Sequence, residues 1–153
     1  MGSVTSAIAT SYKKEILQGT HLTTDTYKIL LIKPSCSGTY DASMTNVGTP
    51  GTGTPSTSNV GTDEASGTGY TSGGVTLTGF SVSSSGTTAW LTFNNASWSS
   101  STISAIGAII YNNDEGGKVV AVLSFGGTVS DTNGTFTITM PTADASNALI
   151  RIA

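Results

Sequence analysis

Ser104–Tyr111 (SAIGAIIY), Asn112–Gly117 (NNDEGG) and Lys118–Phe125 (KVVAVLSF) decide the fold class. Two apolar runs rich in β-branched residues flank a cluster of turn formers, the pattern of an antiparallel hairpin. Both runs are apolar at odd and even positions. Ile106, Ala108 and Ile110 alternate with Ala105, Ile109 and Tyr111, and Val120 and Val122 alternate with Val119, Ala121 and Leu123. Successive strand residues point to opposite faces, so this pair must be covered on both sides. One face belongs to the core, and the other requires the N-terminal helix or a second subunit.

Further strand signals surround this pair. Thr26–Lys33 (TYKILLIK) ends at Pro34, and Val75–Val82 leads through Ser83–Gly86 into Thr87–Phe93 (TTAWLTF). Gly134–Met140 (GTFTITM) alternates cleanly, and Leu149–Ile152 closes the chain as a last strand. About seven strands at regular spacing predict a mainly β protein, an antiparallel β-sandwich or jelly-roll-like body. One N-terminal α-helix is expected over Ser3–Gln18, where Val4, Ile8, Tyr12 and Ile16 form one apolar stripe. Ser3 is placed to cap this helix, and Gly19 to end it in a left-handed conformation.

The whole chain, 1–153, reads as a single domain, with 1–19 as a helical arm and 35–74 as a long loop excursion. The low-complexity centre of that excursion, 48–61 (GTPGTGTPSTSNVG), contains Val60 as its only sizeable apolar residue. It is expected to be exposed and dispensable for folding.

Composition excludes several functions. Only 10% of residues are charged against a usual ~25%, and hydroxyls and glycine take their place. Six basic residues against nine acidic ones, with a pI near 4.7, offer no field for a phosphate backbone. No run approaches the ~18 apolar residues of a membrane helix, and no basic-then-apolar start marks a secretory signal. Cys36 is the only cysteine, so neither an internal disulfide nor a cysteine-based zinc cluster is available.

Local motifs read as structural. Met1–Ser6 fits the myristoylation pattern but also serves helix capping. Asn95-Ala96-Ser97 and Asn133-Gly134-Thr135 are sequons best explained as turns. The Asp131–Gly134 and Asn112–Glu115 turns carry too few carboxylates for a calcium loop. His21 and Asp25 suggest a polar contact rather than a triad, because no Gly-x-Ser-x-Gly elbow accompanies them. Asp63-Glu64 is expected to be a solvated loop pair. Trp90 and Phe93 fall on opposite strand faces, which argues against a shared glycan-stacking platform. No catalytic set, cofactor or metal is expected.

The strings Glu64–Gly74 (EASGTGYTSGG), Trp98, Ile106–Asn112, Ala121–Gly127 (AVLSFGG) and Leu149–Ala153 (LIRIA) occur in one order. With Tyr12–Gly19 and Asp25–Leu31 at the start, they resemble a group of small structural proteins encoded by tailed bacteriophages. The likeness spans nearly the whole chain outside 48–61 and departs at Ile106, where an arginine is expected.

The resemblance implies a virion component assembled in the bacterial host cytoplasm, most directly a capsid decoration (cement) protein bound to the major capsid protein. The alternatives are a tail, baseplate or fibre-associated subunit, or a receptor- or glycan-binding module. A homo-oligomer is expected, a trimer first, with Tyr12, Ile16 and Trp98 as interface candidates. No nucleic acid or membrane partner is expected.

Overall fold

A computed structural model describes residues 1–153. The chain is mainly β with one helix. Its strands are β1 (Ser3–Val4), β2 (Ala7–Ile8), β3 (Tyr27–Ile32), β4 (Thr39–Tyr40), β5 (Val75–Thr76), β6 (Ser81–Ser85), β7 (Thr88–Thr92), β8 (Ala96–Asn112), β9 (Lys118–Ile138) and β10 (Ile150–Ile152); the helix is α1 (Thr10–Leu17). A five-stranded antiparallel sheet has the order β2-β9-β8-β3-β5, and a three-stranded antiparallel sheet the order β10-β7-β6. β1 and β4 form a short parallel pair. The body is β-sandwich-like, as the strand spacing predicts.

The decisive hairpin is present, and β8 and β9 are both longer than its two apolar runs. β9 runs without reversal from Lys118 to Ile138, merging two expected strands. Ser99 pairs with Thr135 and Ser101 with Gly134, so Ser100, at φ +51°, has no partner across the ladder; Asn133 lies on the other strand at φ +50°. The Asn133-Gly134 segment that reads as a turn therefore acts as a bulge on the strand opposite Ser100, bending that strand without ending it. Between the pairs Ala105–Val129 and Gly107–Ser124, β9 holds more residues than β8, so Phe125–Thr128 arches out of the ladder.

Val75–Val82 is not one strand. β5 pairs with β3 in the large sheet, and β6 pairs with β7 in the small one. Gly79, at φ +66°, carries the chain between them beside Asn94, whose side chain a Cβ would strike at 2.4 Å. Tyr27, Phe80 and Phe93 join the two sheets, with ring centroids 5.1 to 5.5 Å apart.

The helix is shorter than its apolar stripe suggests. Val4 and Ile8 are β-branched and sit in sheet pairings: Val4 with Tyr40, and Ile8 with Ala121. Ala9 stands at the N-cap without a side-chain bond, so Ser3 caps nothing. Gly19 ends the helix as expected, at φ +73°, and the Thr20 N–H bonds the Glu15 carbonyl at 3.0 Å.

One cluster of 31 buried residues forms the core. Ile29, Leu30, Leu31 and Ile32 are each 0% exposed, so both faces of β3 are covered within the chain. The long excursion 35–74 contributes to that core on either side of its centre, while 48–61 is largely exposed as expected, with Val60 and Gly61 as its buried residues. Cys36, Tyr40, Met44, Val47, Val60 and Ala65 all belong to the core cluster. The low-complexity centre is fastened by Asn59. Its Oδ1 accepts from the N–H groups of Thr49 and Gly61, and its Nδ2 donates to the carbonyls of Thr52 and Thr54. Side-chain amides replace apolar contacts there, which composition alone does not reveal.

Candidate interaction surface

Three polar clusters hold the strands and loops in place. Asp63 is 1% exposed and collects the N–H groups of Ser37 (2.8 Å) and Gly38 (2.7 Å) and the Tyr40 hydroxyl (2.8 Å), with the Lys33 ammonium at 3.7 Å. Burial alone would raise its pKa. The Gly38 N–H, the Tyr40 hydroxyl, the Ser37 N–H and the Lys33 charge outweigh burial and hold it below the ordinary value. Glu64 is also buried, accepting from Tyr70 (2.8 Å), Ser72 (2.6 Å) and the Gly73 N–H (2.6 Å). The pair expected to be solvated is thus internal, and each carboxylate organises a different loop.

His21 and Asp25 meet through Asn112. The Asn112 Oδ1 accepts from the N–H groups of Asp114 and Glu115, which turns its Nδ2 toward His21 Nδ1 (3.1 Å) and Asp25 (2.7 Å). His21 Nδ1 is therefore the acceptor, and Nε2–H donates to Glu15 at 2.6 Å. No serine hydroxyl is among its partners. The contact ties α1 to the β8–β9 turn.

Apolar surface is concentrated elsewhere. Along the small sheet Val82, Leu91 and Ile150 stand in one row, with Ala89 and Ile152 in the row beside it. Tyr12 and Ile16 of α1, one helical turn apart, face them across a cleft of about 140 Å³ lined only by apolar and aromatic residues. The cleft continues past Ile8 and Leu17 along β10. Tyr12 is itself buried, which pushes its hydroxyl up to about 12, while Ile16 is half-buried at the cleft wall.

Tyr12 and Ile16, named from sequence as interface candidates, therefore share one groove. Trp98 does not join them. It is 3% exposed and packed against Tyr70 and Phe136, with ring centroids at 6.0 and 5.9 Å. Within the single chain, its place among the interface candidates is corrected to a core role. Sequence reasoning missed Leu17, Val82, Ile150 and Ile152 as groove residues. The alternation of Ile150 and Ile152 marks a strand, but nothing local says that this strand lies beside the N-terminal helix.

Comparison with family models, with curated proteins and with solved structures finds no match.

Proposed function

We propose that the chain is a structural component of a tailed-phage virion, a capsid decoration (cement) protein that stabilises the shell through subunit contacts. The observation that carries this reading is the groove between α1 and the small sheet, apolar along its floor with Lys13 and Arg151 at one end. It stays open although the apolar residues of β3 and of the β8–β9 hairpin are mostly covered by the chain's own segments. A lasting apolar opening on a sparsely charged body suits permanent docking. The sequence likeness to phage structural proteins supplies the setting, with the major capsid protein as partner.

A homo-oligomer, a trimer first, belongs to the same proposal. The two-sided apolar strands no longer argue for it, because the chain covers them itself. Its support is a second, shallow opening, where exposed Val129 (44%) and half-buried Phe125 lie over the buried Phe136 and Ile138 beside Thr137 and Thr139.

Counting copies per purified particle by quantitative mass spectrometry tests the assignment. A copy number on the scale of the major capsid protein is expected. A few copies per particle would move the protein to the tail, baseplate or fibre, and its absence from particles would end the virion reading.

A further inference from the structure

Two features meet at one edge of the small sheet. β10 pairs only with β7, so its other side has no strand partner, and such an edge is a template for an added strand. Beside it runs the groove, where three of the chain's six exposed large apolar side chains lie: Leu17, Val82 and Ile152. The charges along this groove have one sign. Lys13 and Arg151 line it and no carboxylate does, in a chain with more acidic than basic residues. Asp144 lies within the field of Arg151, but its oxygens already accept from Ser146 and Asn147. Along β10, Arg151 alternates with Ile150 and Ile152, so apolar and cationic positions fall on opposite strand faces.

We infer that this groove takes an extended acidic segment of another protein, added to β10 as a further strand. Alternate apolar side chains of that segment lie against Ile16 and Ile152, and the intervening carboxylates point to the opposite strand face toward Arg151. Lys13 at the groove rim adds to the cationic field that the acidic segment meets. Charge decides against a second copy. A twofold contact through the same face would set Lys13 and Arg151 against their own counterparts. The inference concerns the chemistry of the occupant and stands apart from the particle assignment. A chain absent from virions that still selects acidic strands would end only the virion reading.

The test titrates the full chain with two synthetic octapeptides, one alternating Val and Glu and one alternating Val and Lys, at low salt, by calorimetry. The acidic peptide is expected to bind more tightly by about tenfold, the scale of two partly exposed charge pairs. The double exchange Lys13→Glu with Arg151→Glu, both at the surface, should reverse the preference. Equal affinity for the two peptides, or binding of neither, overturns the inference. Recruitment to phosphatidylglycerol vesicles without peptide binding overturns it in favour of a lipid surface. A concentration-dependent dimer abolished by Ile16→Asp overturns it in favour of a second copy. If the double variant fails to fold, the two peptides on the unaltered chain still decide.

Discussion

Trp98 buries an indole N–H that has no acceptor, and this orphan donor sets the response of the site to substitution. Removing the whole side chain as Trp98→Ala opens a cavity between Tyr70 and Phe136 and should cost about 3–5 kcal/mol. Trp98→Phe also loses volume, but it removes a desolvated donor whose burial itself costs about 1–3 kcal/mol. Stability should then stay within about 1.5 kcal/mol of the parent, as urea denaturation would measure. Equal losses for the two variants would mean that the N–H has a partner after all. Asp63 gives a pH signature instead. Its folded pKa lies below the ordinary carboxylate value, so its contribution is fully present above that value. It is lost as pH falls through the folded one. Asp63→Asn should lower stability at neutral pH by about 2 kcal/mol, because a neutral amide oxygen accepts the three donors that converge on Oδ2 more weakly than a carboxylate, and its NH2 group would face the Lys33 ammonium. It should also flatten the acid side of the stability profile. A variant with an unchanged acid limb would show that the carboxylate is not what fails first in acid.

Among the elements, β9 depends on residues that usually end strands. Asn133 sits at φ +50° next to Gly134, opposite Ser101, and the pairing resumes on either side. Asn133→Gly should be neutral or slightly stabilising, whereas Asn133→Val should cost about 1–2 kcal/mol, because a β-branched residue resists this backbone conformation. Thermal unfolding of the two variants checks the order. The reversed order would mean that Asn133 is held by its side chain rather than by its backbone. Such bulges mark where the sequence was legible and where it was not. The apolar hairpin, the Gly19 helix end and the β10 alternation all declare themselves within a few residues. A Ser-Ser or Asn-Gly pair gives the same local signal in a reversal and in a bulge, and only the strand opposite decides between them. The N-terminal arm is similar. Val4 and Ile8 fit a helical stripe until Tyr40 and Ala121 offer them ladder partners. The groove is half legible, through Tyr12 and Ile16, because its other wall comes from β6, β7 and β10, all distant in sequence from α1.

On the scale of the whole molecule, the largely exposed segment 48–61 seats Val60 in the core, and removing it together with Val47 tests how the fold is closed. The Val60 N–H bonds the Val47 carbonyl at 2.8 Å, so the ends of the segment already lie together. Joining Asn46 to Thr62 would therefore ask little of the chain in closure, and the entropy of a shorter loop changes slowly with length. The loss lies in what the deleted residues 47–61 carry. Val60 is 0% exposed and Val47 2% exposed, and full burial of each valine is worth about 1.5–3 kcal/mol. The Tyr40 hydroxyl also loses the Val60 carbonyl, at 3.3 Å, which leaves a buried group with fewer partners beside Asp63. A total near 5 kcal/mol is comparable with the whole stability of many domains. The deletion is therefore expected to give a chain without a cooperative thermal transition and with poorly dispersed amide resonances. Val60→Ala alone should keep the transition and lower its midpoint. Asn59→Ala, which frees the loop without deleting it, should fall between the two. A deletion that folds as cooperatively as the full chain would mean that other segments close over the core and that Asn59 holds the loop only for itself.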